Sequence, residues 1–243
     1  RYPLISRDAL RAEVRTPFLA APFGWGLPGQ ARLLAIDQRY RTDFDETIVD
    51  TTISPRTGRP IAFQTRESRD RITTRSREVR SEVRLGERDV AGLRLGAELR
   101  RETTRGPKDW SETTRNVAGV VTGVNDSLTE SVPNARRDVA ALSLSGGSSL
   151  GRVRLEAGLR WDWVRSLAES TETSWTPRVQ ETDRRWSYDA GLSLNLGAVQ
   201  PYGRVASGFR APNLEERFYR GPVHGGMDVF GDPRLEAERS VTY

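Results

Sequence analysis

The chain has 243 residues, 29% of them charged, a net charge of +5 and a mean hydropathy of −0.61. The absence of cysteine excludes disulfides and thiolate chemistry, and a single histidine, His224, excludes a zinc site with several histidines. No stretch approaches the ~20 apolar residues of a spanning helix, so a helical membrane protein is excluded. A membrane β-barrel is compatible, because only alternate residues of its strands must be apolar.

Alternation of apolar and polar residues, which is the signature of a strand with two different faces, recurs along the chain. It is clearest between Arg152 and Trp163, where one face is wholly apolar and the other carries Arg, Glu, Asp and one Gly. Alternation predicts strands over residues 5–16, 30–42, 72–86, 89–102, 137–146, 152–163, 185–196 and 199–209, with another beginning near residue 238.

The connections between these strands are of two kinds. Short glycine-containing links predict tight turns at residues 86–88, 146–151 and 197–201, and polar stretches predict long loops at 43–70, 103–136, 165–184 and 211–236. Several long loops are uncommon in a compact soluble domain. Short turns at one end and long loops at the other are typical of outer-membrane barrels.

Aromatic residues mark one end of the apolar face. Trp161 and Trp163 end one strand, and Trp186 and Tyr188 begin the next, all on the long-loop side. From Val153 to Trp163 the apolar face spans about 25 Å at ~3.3 Å per residue and ~40° tilt, which is the height of a lipid-facing band. A soluble β-sandwich is the alternative, and its apolar face would pack under a second sheet. The prediction is an all-β fold: an antiparallel transmembrane β-barrel, present as an open curved sheet of about nine strands with edges near 5–16 and 238–243.

Two short boxes near the end of the chain carry a family resemblance. The first is Phe209-Arg210-Ala211-Pro212, followed by Asn-Leu and an acidic-aromatic stretch; the second, which has the pattern Gly-Asp-Pro-x-Leu, comprises Gly231, Asp232, Pro233, Leu235 and Glu238. Together they resemble TonB-dependent outer-membrane receptors. Asp232 stands where the family usually has Asn, and Ala237 where it usually has Pro.

The resemblance implies a 22-stranded barrel around an N-terminal plug, with cargo bound at the extracellular loops and plug. It implies energy supplied by the TonB-ExbB-ExbD complex through the plug, and a position in the outer-membrane lipid of a Gram-negative bacterium. Residues 1–243 are expected to be part of the single barrel domain, without the plug or the closing strands. No cofactor, resident metal or nucleic-acid partner is implied.

The residues between and within the boxes are the candidate cargo contacts: Arg210, Tyr219 and His224. For Arg210 the alternative is hydrogen bonding at the base of the loop to carboxylates such as Glu215 or Glu238. Haem receptors of the family carry a haem-ligating histidine between the same boxes, so His224 is a candidate haem ligand, a contact to other cargo, or a solvent-exposed loop residue.

The leading functional hypothesis is TonB-energised uptake of a scarce nutrient, most often a ferric siderophore, with a haem receptor as the alternative. A barrel enzyme would depend on His224 in a glycine-rich loop, which disfavours a catalytic triad, so no catalytic residues are predicted. A passive porin or adhesin barrel is a third reading, against which the paired boxes argue.

Overall fold

The computed structural model describes residues 4–16, 29–87, 91–169, 178–223 and 227–243. Nearly all of these residues lie in strands. In chain order the elements are β1 (Leu4–Arg15), β2 (Gly29–Ile53), β3 (Pro60–Glu87), β4 (Ala91–Asn116), β5 (Val121–Leu150), β6 (Val153–Ala168), β7 (Val179–Leu194), β8 (Tyr202–Arg210), α1 (Leu214–Phe218), β9 (Arg220–Val223), β10 (Met227–Phe230) and β11 (Glu238–Thr242). Within the described ranges, no helix has the length and apolar character needed to cross a membrane.

Nine strands form one antiparallel sheet in the order β1-β2-β3-β4-β5-β6-β7-β8-β11, and β9 pairs with β10 in a small hairpin. The ladder confirms the predicted neighbours, since Trp161 lies opposite Leu142 on one side and Trp186 on the other. The outermost strands are β1 and β11, as the alternation predicted. The structure is therefore an open antiparallel sheet of nine strands.

The two faces of the sheet differ in chemistry. One face, the lipid face, presents large apolar side chains that stay exposed, among them Leu142 (59%), Leu155 (53%) and Trp186 (62%). The described residues place no second sheet over it, so the sandwich alternative is not supported. The opposite face, the lumen face, carries ion pairs such as that between Arg160 Nη2 and Glu98 Oε2 (3.2 Å).

The predicted loops at 43–70 and 103–136 are wrong. These residues continue the ladders of β2 with β3 and of β4 with β5, so that strands reach 25 to 30 residues. From Arg77 back to Pro60, strand β3 extends for about 56 Å at ~3.3 Å per residue. The two hairpins therefore project far past the apolar part of the sheet.

The absence of alternation explains this error. Both faces of the extended hairpins are largely polar, so an alternation of period two carries no signal there. Contacts between β3 and β4 hold the two hairpins together instead. Arg66 bonds Glu112 (2.8 Å), and the hydroxyl groups of Thr74 and Thr104 lie 2.9 Å apart. β-Branched threonine favours strands without marking a face.

Local turn chemistry closes the hairpins. Asn116 Oδ1 accepts hydrogen bonds from the backbone N–H groups of Ala118 and Val120 (3.0 Å each), and Gly119 takes the left-handed conformation (φ 79°). The tip of the β4–β5 hairpin is thus an Asx turn of the kind that asparagine favours. The turn predicted at 146–151 lies later, because β5 continues to Leu150 and the chain reverses at Gly151 (φ 60°).

Two further predicted loops need correction. Strand β6 continues to Ala168 and β7 begins at Val179, so the connection is shorter than 165–184; residues 170–177 lie outside the described ranges. The stretch 211–236 contains helix α1 and the β9–β10 hairpin rather than loop alone. These elements position the candidate site.

A pair of engineered cysteines tests the extended β2–β3 hairpin, since the chain has no native cysteine. Thr47 and Glu67 are direct partners in the ladder, whereas Ser68 is paired with Glu46. Direct cross-strand Cβ atoms lie about 4.5–5.5 Å apart, close to disulfide geometry. We expect Thr47→Cys with Glu67→Cys to form a disulfide under mild oxidation in the full-length protein, detected by non-reducing electrophoresis. Thr47→Cys with Ser68→Cys is the control; equal cross-linking of both pairs would argue for a flexible loop.

Candidate functional site

Helix α1 begins in a capping box directly after the first sequence box. Asn213 Oδ1 accepts a hydrogen bond from the backbone N–H of Glu216 (2.7 Å), and Glu216 Oε2 accepts one from the backbone N–H of Asn213 (2.8 Å). Reciprocal bonding satisfies two backbone donors that a helix start otherwise leaves unpaired. Pro212 ends the ladder just before this cap because proline has no N–H to donate.

Burial of two side chains fixes α1 against the sheet. Leu214 and Phe218 are 1% and 2% exposed and belong to a cluster with Val132, Ala135 and Ala168 from β5 and β6. Burying side chains of this size typically contributes about 1.5–3 kcal/mol each. The helix therefore has one fixed position over the end of the sheet.

Arg210 ties the two boxes together. Its Nε and Nη2 donate to the two carboxylate oxygens of Glu238 (3.1 and 2.7 Å), and its Nη1 donates to both oxygens of Glu216 (2.8 and 3.1 Å). One guanidinium thus joins the end of β8, the capping box of α1 and the start of β11. This geometry matches the alternative role of Arg210, which was hydrogen bonding to carboxylates at the base of the loop. Glu238 is one partner, and Glu216 takes the place of Glu215 as the other. Contact between Arg210 and the cargo stays a prediction.

The second box docks on the end of α1 through its backbone. Gly231 donates its N–H to the carbonyl of Tyr219 (2.7 Å), and Asp232 donates to the carbonyl of Glu216 (3.1 Å). A Cβ at Gly231 would lie 2.6 Å from the backbone carbonyl carbon of Arg217, so only glycine permits this approach. The spacing between the boxes is therefore the length of chain needed to leave α1 and return to it.

A buried arginine that the sequence analysis missed completes this junction. Arg217 is 2% exposed, and its Nη2 donates to Asp183 Oδ2 of β7 (2.9 Å) and to the carbonyl of Leu235 (3.0 Å). Breaking a buried pair by removing one partner commonly costs about 3–5 kcal/mol. Nothing in the sequence distinguishes Arg217 from the exposed arginines, because its burial arises only when α1, β7 and the second box meet.

The remaining predicted residues fall around this junction, and their roles in cargo binding stay predictions. Tyr219 is half-buried, caps α1 and packs beside the Leu214–Phe218 cluster. Phe209 and Ala211 flank Arg210, Asp232 begins the turn that contains Pro233, and Leu235 is 40% exposed. His224 lies outside the described residues.

A polar cleft of about 420 Å³ opens between α1 and the lumen face of β1 to β4. Tyr40, Thr74, Arg100 and Glu102 line it on the sheet side, and Asn213 to Glu215 line it on the helix side. Arg100 Nε is buried without a hydrogen-bond partner. The cleft thus presents hydroxyl groups and the guanidinium groups of Arg7 and Arg100 beside the carboxylates of Glu102 and Glu215. Hydroxyl and guanidinium donors are the kind of groups that hold an oxygen-rich anion.

Elsewhere on the lumen face, acids neutralise many of the arginines. Arg160 bonds both Glu98 and Asp162, Arg137 bonds Glu102 (3.0 Å), and Arg80 pairs with Glu78. The lumen face is polar rather than uniformly positive. Among the described residues, no group of three acidic, histidine or cysteine side chains could hold a metal ion.

Comparison with known families decides what this sheet and junction belong to. The family model described as the β-barrel of TonB-dependent receptor-like proteins matches residues 9–243. The chain belongs to the TonB-dependent receptor family. The match covers both boxes, the larger part of β1 and the other eight strands of the sheet. Comparison with curated proteins finds no match.

One solved structure supports the fold of this TonB-dependent receptor barrel. The copper transporter OprC matches with a TM-score of 0.52 at 13% identity, over 97% of this chain and 42% of that one. The haemophore receptor HasR of Serratia marcescens, solved with its haemophore HasA and haem, gives 0.41 at 14% identity over 88% and 41%. The siderophore receptor PiuA of Acinetobacter baumannii gives 0.32 at 12% identity over 98% and 49%. The chain therefore spans less than half the length of these receptors.

Substituting Gly231 tests whether backbone contact between the second box and α1 holds the junction. We expect Gly231→Ala to lower the free energy of unfolding by about 1–3 kcal/mol, because the new methyl group overlaps backbone atoms that cannot rotate away. Gly203→Ala is the matched control, since a Cβ there meets nothing within 4 Å. Thermal unfolding and hydrogen exchange of residues 211–237 in the full-length receptor measure the effect; equal behaviour of the two variants would contradict the docking argument.

The Arg210 contacts also predict a pH dependence of the junction. The guanidinium lowers the pKa of Glu238; burial raises the pKa of Glu216, but bonding to Arg210 and to the Asn213 N–H lowers it below its ordinary value overall. The stabilisation is therefore present above the usual glutamate pKa of about 4.3 and is lost as pH falls through the lowered pKa values.

We expect the protection of residues 211–240 against hydrogen exchange to persist at pH 5 and to weaken at lower pH. Arg210→Gln should lower protection at pH 5, whereas a pH profile identical to the parent's would contradict the role of Arg210. Each measurement is scaled to an unstructured peptide at the same pH.

Proposed function

We propose that this chain is the barrel part of an outer-membrane receptor that takes up a ferric siderophore with energy from TonB. Family membership supports the receptor and transport role, since TonB-dependent receptors are transporters of the Gram-negative outer membrane rather than enzymes. The proposed partners are the TonB-ExbB-ExbD complex and the surrounding outer-membrane lipid.

The polar cleft under α1 is the observation that carries the choice of cargo. An anionic, oxygen-rich chelate matches its hydroxyl groups and the guanidinium groups of Arg7 and Arg100. Most other lumen-face arginines named above are already engaged by acids, whereas Arg7 and Arg100 are the cations among the residues that line this cleft. A charge-assisted hydrogen bond of this kind contributes about 1.5–3 kcal/mol to binding.

Removing the guanidinium group of Arg100 tests the proposed cargo site. In iron-starved cells that express the full-length receptor, we expect TonB-dependent accumulation of radioactive iron from a ferric catecholate, a ferric hydroxamate or ferric citrate. Arg100→Gln should weaken binding of the transported chelate about 10- to 100-fold, in line with the loss of one charge-assisted bond. Arg94→Gln, which removes the same charge from the same strand outside the cleft, should leave binding unchanged.

Two results would overturn the proposal. Iron accumulation that is equal with and without TonB would indicate a passive barrel. Failure with all three chelates, together with a haem Soret band that His224→Ala abolishes, would indicate a haem receptor. For a siderophore receptor we expect His224→Ala to change the free energy of binding by under ~0.5 kcal/mol, which is the usual size of effect for a substitution away from a binding site.

A further inference from the structure

On the lipid face, neighbouring strands change from apolar to charged residues at one level of the ladder. Along β4 the outward residues are apolar up to Leu99 and then Arg101 follows; along β6 they are apolar up to Trp163 and then Arg165 follows. The register places Arg77 opposite Arg101, Arg101 opposite Asp138, and Asp138 opposite Arg165. A row of charge therefore borders the apolar band.

This border is strongly basic. The first two outward positions beyond the apolar band on β2 to β7 carry seven arginines, two aspartates and no other charged residue. The arginines, which we call the arginine collar, are Arg39, Arg75, Arg77, Arg101, Arg136, Arg165 and Arg184. The aspartates are Asp37 and Asp138. The collar keeps a surplus of five positive charges.

The two aspartates cannot neutralise the collar, because each is shared by two arginines. Asp37 lies 2.6 Å from Arg75 and 3.7 Å from Arg77, and Asp138 lies 2.6 Å from Arg101 and 3.0 Å from Arg136. The side chains of Arg77 and Arg101 remain 61% and 59% exposed. Their guanidinium groups can therefore reach an anion outside the protein while each keeps one ion pair with the sheet.

The collar is confined to one end of the sheet. Toward the short turns, the outward positions of β5 to β7 hold only apolar or small uncharged residues: Leu144, Gly146, Ser148, Leu150, Val153, Leu155, Leu192 and Leu194. In outer-membrane barrels the short turns face the periplasm. The collar consequently lies at the extracellular interface, beside the aromatic residues Trp163 and Trp186.

We propose that the arginine collar binds the phosphate groups of lipid headgroups in the leaflet around the extracellular end of the barrel. Arginine presents paired N–H donors that match phosphate oxygens and is weakly hydrated, which suits a partly desolvated interface. Basic residues beside an anionic lipid surface attract it at about fivefold in affinity per residue. The proposal rests on membrane insertion of the barrel and not on its cargo, so failure of the uptake assay leaves it unaffected.

Removal of three collar arginines tests the proposal against a control on the same strands. The collar variant is Arg77→Gln with Arg101→Gln and Arg165→Gln; the control variant is Arg84→Gln with Arg94→Gln and Arg154→Gln, which removes equal charge from the lumen face of β3, β4 and β6. The probe is fluorescent lipid A, a diphosphorylated glycolipid, in mixed non-ionic micelles with the full-length receptor. Fluorescence anisotropy gives its affinity, and heat-modifiable migration on a gel shows that each variant is folded.

We expect the collar variant to bind lipid A about a hundredfold more weakly, from three lost charges, and the control variant to bind like the parent. Lipid A without its phosphates should bind the parent as weakly as lipid A binds the collar variant. Equal affinity of parent and collar variant, or equal loss in the control, would overturn the proposal. Full competition by inorganic phosphate at the same molar concentration as lipid A would overturn it too, since the site would then bind a free anion.

If the triple variant does not fold, single Arg→Gln variants at the same three positions replace it. Each single variant is expected to bind lipid A about fivefold more weakly than the parent. Unchanged affinity in all three single variants would count against the collar.

Discussion

Pairing of backbone hydrogen bonds in the absence of water is the constraint on which the rest of this structure depends. In the hydrocarbon region an unpaired N–H or C=O group costs several kcal/mol, so each strand must be bonded along its length by neighbours. The antiparallel ladder from β1 to β8 and on to β11 supplies these bonds between neighbouring strands, with register shifts in the β2–β3 and β4–β5 pairs and a short β7–β8 pairing. Nearly every pair joins strands that are adjacent in the sequence. The side chains are then free to differ completely between the two faces.

The candidate site lies between β8 and β11, the two neighbouring strands of the sheet that are not adjacent in the sequence. Between β8 and β11 the chain leaves the sheet, forms α1 and the β9–β10 hairpin, and returns to pair with the strand that it left. Such a detour requires fixed exit and entry points. Arg210 bonds both, Gly231 brings the returning backbone onto α1, and Arg217 anchors the helix to β7.

Arginine residues serve three different purposes in three environments of this protein. On the lumen face most of the guanidinium groups described above are engaged by nearby acids, which gives a polar but largely compensated surface. At the junction, buried Arg217 holds separate elements together. On the lipid face the collar exceeds its counter-charges, and the excess lies where lipid headgroups meet the protein. Composition alone, with a net charge of +5, cannot separate these roles.

The sequence by itself determined the number of strands in the main sheet, their neighbours and the family. Alternation reports which face of a strand meets lipid, so strands such as β6 and β7 could be located wherever one side is apolar. The two boxes could be recognised because glycine and proline at fixed spacing reflect local backbone requirements. The capping box of α1 was also legible in Asn213 and Glu216, although the stretch was predicted as loop.

Only the tertiary structure decided the rest. Above the membrane both faces of β2 to β5 meet water, so periodicity vanishes and the long hairpins depend on cross-strand pairing that a single strand's sequence does not report. The burial of Arg217, the cleft at Arg100 and the partners of Arg210 arise from residues far apart in the chain. The level at which seven arginines form one collar is set by ladder register, which aligns strands only when they are hydrogen-bonded.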